Sequence, residues 1–353
     1  MMSTHAEAID GILVWEKGLL IPLFLLTSLV LNIFALILPF LQINEALHST
    51  VIYSLPHSVK LMWEHKLYAV SLLILGFSII FPFVKLISLN LAWFVPWDAK
   101  RRTTFIHLIE LLGKWSFMDI FVVILLLALT SNQAFIHSKI HIGVYFFIGA
   151  ISMSMILSQV IYSIAQKMER EQTTPPVSDS KRHWLLIENI YLGWTVPVLS
   201  FIAIAALLEA LHAPFLKISQ FLLASHSYSI SDTATVLHDN GQTVLYLVMA
   251  GTLAVIPVTQ LILLMWTWVI PMKIKTHVWM NGFTEGLSRW SMLDVFGLAL
   301  FLVTTEGKDL VRTEIQPGLY VVLVAIGLCY FLGFLAFALH KAMVRSEETT
   351  GAS

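Results

Sequence analysis

Lys85 is the residue of this chain whose position most demands a chemical explanation. It stands inside an apolar run covering 67–95, about ten residues before the end of that run at Val95. At 1.5 Å per residue this is about 15 Å into hydrocarbon, where an ammonium group is costly. Two readings fit. The long side chain snorkels back to the interface, or it faces a bundle interior, where it needs a partner and marks a site. The acidic residue expected at that depth is Asp119, which enters the next apolar run from the same side. The sequence therefore predicts a Lys85–Asp119 pair able to hold a charged group. Pro82, one turn before Lys85, lacks a backbone N–H and so frees a carbonyl, which predicts a locally widened helix.

Asp119 belongs to a signature, E-x-L-x-[KR]-W-S-x-x-D-[IV]-F, that occurs twice. The first copy contains Glu110, Lys114, Trp115, Ser116 and Asp119, and the second Glu285, Arg289, Trp290, Ser291 and Asp294. One reading is structural. Ser116-x-x-Asp119 and Ser291-x-x-Asp294 have capping-box spacing ahead of an apolar helix. Trp115 and Trp290 then anchor the interface, and Glu110/Lys114 and Glu285/Arg289 form i, i+4 pairs in the favourable order. The other reading turns Ser116 and Asp119 toward a cavity.

Other chemistries find little support. The thirteen His fall in loops or near the ends of apolar runs, not deep in two facing helices as a b-type haem requires. His137-x-x-x-His141 has metal-ligand spacing but lacks the Glu of a hydrolytic zinc motif. The lone cysteine, Cys329, excludes an intrachain disulfide and a cysteine-based zinc cluster. No nucleophile motif, P-loop or dinucleotide fingerprint appears, and no basic block suits nucleic acid. The expectation is a non-enzyme with no cofactor and no metal.

The signature repeats because the whole membrane unit repeats, offset by 175 residues. Pro22 matches Pro197, Pro39-Phe40-Leu41 matches Pro214-Phe215-Leu216, Pro82 matches Pro257, and Gly143 matches Gly318. Two apolar halves resembling each other by chance would drift in register. The copies diverge at Lys85, which is Gln260 in the second, so the first copy is the charged one. A later run carries Ser152, Ser154 and Ser158 where the second copy has Gly327, Cys329 and Gly333. Small residues at this spacing line a polar path or permit close helix packing. Thr130 and Thr305 also correspond, near the outer ends of their runs.

With 58% hydrophobic and 12% charged residues, the chain lies outside the soluble range. Its apolar runs predict an all-α integral membrane protein with eight spans, four per copy: 19–43, 67–95, 116–131, 143–165, 193–216, 243–270, 291–305 and 318–340, the short third run of each copy implying a helix that starts a little earlier, near Trp115 or Trp290. Most of the 21 Lys and Arg fall on the side holding both termini, including Lys100-Arg101-Arg102 and Lys181-Arg182, which predicts cytoplasmic termini. Four spans per copy make the repeats parallel. The expected organisation is an N-terminal segment 1–17, a first membrane unit 18–168, a cytoplasmic linker 169–182, a second unit 183–342 and a tail 343–353. The outward segments 44–66 and 219–242 are long enough to contain short strands or helices.

The doubled W-S-x-x-D-x-F, the Pro82-x-x-Lys85-Leu86 segment with its counterpart Pro257-x-x-Gln260-Leu261, and the doubled four-span layout resemble the paraquat-inducible protein A family, including its LetA-like members. The resemblance covers about 18–342. It implies an inner-membrane component of a bacterial system moving phospholipid-like molecules between membranes, partnered by a periplasmic tunnel protein of MCE domains. Typical members carry a Cys-rich, zinc-ribbon-like module ahead of each membrane unit; 1–17 and 169–182 contain no Cys, so no metal role carries over. On this reading a lipid head group sits at the level of Lys85 and Asp119. A scaffold or assembly factor without transport activity, and a proton-coupled small-molecule carrier, are the competing expectations.

Overall fold

The computed structural model describes residues 20–45, 51–96, 98–131, 136–173, 182–183, 194–220, 224–270, 272–306 and 313–350. It divides into two compact units, 1–176 and 177–353. Among the described residues, eight helices are long and apolar enough to cross a membrane: Leu20–Ile37, Val70–Phe94, Arg101–Ala128, Ile142–Gln166, Thr195–His212, Thr243–Val269, Gly282–Thr304 and Gly318–Ala336. The chain is a multi-pass membrane protein. Large apolar side chains such as Leu23, Phe24, Val84 and Ile87 point outward from these helices; lipid is the solvent that tolerates them.

The first unit opens with α1 (Leu20–Ile37), followed by β1 (Leu41–Glu45), β2 (Val51–Tyr53) and the short α2 (Leu55–Glu64). The second span is α3 (Tyr68–Ile74), a π-helical segment (Leu75–Ile80) and α4 (Phe81–Phe94). Next come α5 (Ala99–Gly113), a 3-10 turn (Lys114–Phe117), α6 (Met118–Ser131), β3 (Ile136–Ile140) and α7 (Ile142–Thr173). β1 is the centre of an antiparallel sheet in the order β2-β1-β3. The apolar side chains Leu25 of α1, Leu86 and Leu89 of α4, Ile106 of α5 and Leu157 of α7 meet in one buried cluster.

The second unit repeats this order. After the two-residue β4 (Arg182–His183) it has α8 (Thr195–His212), β5 (Leu216–Gln220), β6 (Ala224–Tyr228) and α9 (Ile230–Asp239). α10 (Thr243–Ala250), a π-helical segment (Gly251–Val255) and α11 (Ile256–Val269) form its second span. β7 (Met272–Lys273), α12 (Ile274–Trp290), α13 (Leu293–Glu306), β8 (Thr313–Ile315) and α14 (Gly318–Thr350) complete it. Its larger sheet runs β6-β5-β8, and β4 pairs with β7.

The matched Pro and Gly landmarks have a shared cause. Gly143 N–H donates to Pro39 O at 3.1 Å and Gly318 N–H to Pro214 O at 3.0 Å, tying the start of each unit's last helix to the end of its first. A Cβ at Gly143 would lie 2.5 Å from Pro39 O, and one at Gly318 would meet Pro214 O still more closely. Only glycine lets the backbones approach this far.

Three sequence expectations change. The stretch before Trp115 is helical and nearly continuous with α6, so the third span takes in Arg101–Ala128 and starts well before Trp115, not near it. Arg102, expected outside the spans, lies on α5 and is buried, and its Nη2 donates to Val95 O at 3.1 Å. α7 runs to Thr173, into the expected linker, and α14 runs to Thr350, through most of the expected tail. Residues 1–17 and 174–181 lie outside the described residues, as do the side chains of Thr130, Thr305 and His137. His141 Nε2 lies 2.8 Å from Gln42 Oε1, a contact within the protein.

Candidate functional site

Lys85 lies on α4 and is 2% exposed. Its stem crosses α5 at Gly113, where a Cβ would stand 2.9 Å from Nζ and 3.4 Å from Cε. The end of the lysine side chain lies against Gly113, which has no side chain to displace it. The acidic group acting electrostatically on Lys85 is Glu110, one turn earlier on α5 and 7% exposed. Nζ makes no hydrogen bond. Snorkelling is therefore not what this side chain does; it is turned inward.

The expected Lys85–Asp119 pair is not formed. Asp119, 6% exposed, is placed beside Ser78 of the π-helical segment, and the lysine has gone to α5 instead. Sequence reading missed Glu110 as a partner because its i, i+4 relation to Lys114 explained it locally. A signal was available. The second unit replaces Lys85 by Gln260 and Gly113 by Ser288 together, as expected if the glycine exists to accommodate the lysine. Glu285 is correspondingly freed for a surface role: it accepts from Arg289 Nη2 at 3.0 Å, and its side chain is 46% exposed.

Pro82 shapes the neighbouring backbone. In the π-helical segment Phe81 N–H donates to Gly76 O, five residues back. The next such bond would run from residue 82 to Phe77 O, but proline has no N–H. Ser116 supplies the donor: its hydroxyl bonds Phe77 O at 2.9 Å. Ser116 is thus not a helix cap of the expected kind. Trp115 accompanies it, with its ring centroid 6.3 Å from that of Phe77.

The second unit meets the same problem differently. Ile256 N–H donates to Gly251 O, and Pro257 leaves Thr252 O without a helical donor. Here Met292 backbone N–H donates to Thr252 O at 3.3 Å, where α12 is interrupted before α13. Ser291 and Trp290 are half-buried at that interruption, and Gln260 is half-buried on α11. Asp294 accepts a short hydrogen bond from the Tyr330 hydroxyl.

Ser154 and Ser158 donate to carbonyls of their own helix, Ile151 O at 2.8 Å and Met155 O at 2.9 Å. Both are buried with their hydroxyls consumed, which suits close packing more than a polar path. Among the described residues no group of three or more His, Cys, Asp or Glu is disposed to hold a metal ion.

The family model described as paraquat-inducible protein A matches residues 21–164 and 195–340, taking in both units and both signatures. The chain belongs to that family. Among curated relatives, the protein named "Intermembrane transport protein PqiA" from Escherichia coli strain K12 is 30% identical over 157 residues, 42% of this chain and 34% of the relative. The proteins of the same name from Escherichia coli O6:H1 and Shigella flexneri match to the same extent. The match therefore spans about a third of the length of these relatives. No solved structure matches. Within the family, the two matched regions of this chain differ in Lys85, Gly113 and Ser78 against Gln260, Ser288 and Leu253.

Proposed function

We propose that this protein is an inner-membrane component of a lipid transport system, passing phospholipid-like molecules between the inner membrane and a periplasmic MCE-domain tunnel. The observation that carries this reading is Lys85, a cation buried in a membrane span with no hydrogen bond to its ammonium group. A lipid phosphate supplies the hydrogen-bond acceptors that such a group lacks. The relatives' printed name supports intermembrane transport as the setting. On this reading both termini are cytoplasmic, and the two three-stranded sheets with α2 and α9 face the periplasm, where they dock the partner. Lipid tails lie against the outward apolar faces, and the head group reaches Lys85 when α4 parts from α5 at Gly113.

The test is replacement of Lys85 by Met and by Arg in cells, with outer-membrane phospholipid content and protein level measured together. Transport per molecule of protein should fall with K85M, beyond any loss of protein level, and recover partly with K85R. Wild-type lipid content in K85M cells would sink the proposal. Affinity capture of the intact protein from detergent should also recover an MCE-domain protein.

A further inference from the structure

The short helices α2 and α9 end in the same backbone turn and differ in chemistry. Lys66 N–H donates to Trp63 O and Leu67 N–H to Met62 O, as Gly241 N–H does to His238 O and Gln242 N–H to Leu237 O. The turn needs a positive φ, which is 71° at Gly241 and 66° at Lys66. Lys66 is the one non-glycine residue with positive φ among the described residues. Glycine takes this conformation freely, whereas a lysine takes it at a cost. The second unit uses the residue the turn favours, and the first keeps a charge there. The turn itself does not account for that charge.

Its surroundings place it at the membrane surface. Ser71 Oγ donates to Val59 O at 2.9 Å, tying α2 to the first turn of the span Val70–Phe94. α2 therefore lies at the level where that span leaves the bilayer. Leu55 is buried, while Lys60 and Trp63 share an exposed edge of the helix. The Trp63 ring meets Tyr68 edge-on with centroids 4.9 Å apart, and the two residues are 53% and 49% exposed. Trp and Tyr at the end of a span favour the head-group layer, and lysines beside them are drawn to phosphate. Lys60 lies 3.8 Å from Glu64, but both side chains are well exposed, so this pair holds the lysine weakly. Residues 55–68 carry two lysines against one glutamate; their counterparts 230–243 carry two aspartates and no lysine or arginine. Thr235, His238, Gly241 and Thr243 stand where the first unit has Lys60, Trp63, Lys66 and Tyr68. We propose that this edge of α2 is a binding site for an acidic phospholipid, with Lys60 and Lys66 drawing the anionic head group and Trp63 and Tyr68 packing beneath it. The remaining surface of the cap is left to the partner of the proposed function, and α9 has no such edge.

The test uses the intact purified chain in detergent micelles doped with phosphatidylcholine, which phosphatidylglycerol replaces at constant total lipid and ionic strength. A lipid that binds only the folded state should raise the unfolding midpoint by about 3 °C and then saturate. K60Q/K66Q should lose at least half of that rise. K66G separates the turn from the site: it should raise the midpoint in phosphatidylcholine by about 2 °C by relieving the backbone, yet weaken the response to phosphatidylglycerol. Position is read separately from W63C and its counterpart H238C, each in a C329S background and carrying a fluorophore. A phosphatidylglycerol spin-labelled at its head group should quench the label at 63 at least twice as strongly as that at 238. Equal quenching overturns the proposal, as does a rise that K60Q/K66Q leaves intact or a wild-type midpoint that ignores phosphatidylglycerol. If K60Q/K66Q keeps the lipid response and instead loses capture of an MCE-domain protein, the edge belongs to that partner and the proposal falls. None of these readouts involves transport, so they stand or fall apart from the K85M test.

Discussion

The hydroxyl of Ser116 donates to the carbonyl of Phe77, 39 residues earlier, at 2.9 Å. This bond joins the 3-10 turn ahead of α6 to the π-helical segment that Pro82 follows, and it repairs a defect the proline creates. Within a membrane an unsatisfied carbonyl has no water to turn to. S116A should therefore destabilise the protein by about 1–3 kcal/mol, the usual penalty for orphaning a buried polar group. S291A should have a smaller effect, because Met292 N–H fills the equivalent role in the second unit. Paired denaturation curves in detergent check this, and equal losses for the two variants would contradict it.

Pro82 and Ser116 should be coupled. Replacing Pro82 by Ala returns an N–H that can bond a carbonyl of its own helix, so the Ser116 hydroxyl is no longer the sole donor available to Phe77 O. The loss caused by S116A should shrink in a P82A background, with an interaction energy of about 0.5–3 kcal/mol in a double-mutant cycle. Additive effects would mean that the proline is not the reason Ser116 is there.

The eight apolar spans and their division into two copies were legible in the sequence because lipid imposes length and hydrophobicity on every crossing. The site was less legible. Depth along a helix is readable from residue count, and it matched Lys85 with Asp119. Direction around the helix is set by which neighbour offers space, and Gly113 offered it on α5. The role of Ser116 was hidden for a similar reason: its spacing to Asp119 fits a cap, while its donor was drawn to a carbonyl freed far away in sequence. The sheets were readable only as long polar segments, since β1 pairs both with nearby β2 and with distant β3.

Gly143 and Gly318 offer a test of the shared framework. A Cβ at either position would press on a carbonyl that neither Pro39 nor Pro214 can move far. G143A and G318A should each lower the unfolding midpoint or the yield of folded protein, and by similar amounts. Either variant behaving as wild type would show that the backbones can separate at this point without loss.

Lys85 and Glu110 separate stability from function. Glu110 acts electrostatically on Lys85 inside the span, so removing either group alone should cost stability, whereas replacing both by groups of similar shape is often neutral. K85M alone should leave Glu110 buried without the lysine's charge, and E110Q alone should leave Lys85 without its carboxylate. The double variant K85M/E110Q should be more stable than the less stable of the two single variants, as read from protein level and unfolding midpoint. If Lys85 meets the head group, that double variant should still fail to restore outer-membrane lipid content. Recovery of stability together with transport would make the pair a packing feature of the first unit, and recovery of stability alone would place the working charge at Lys85.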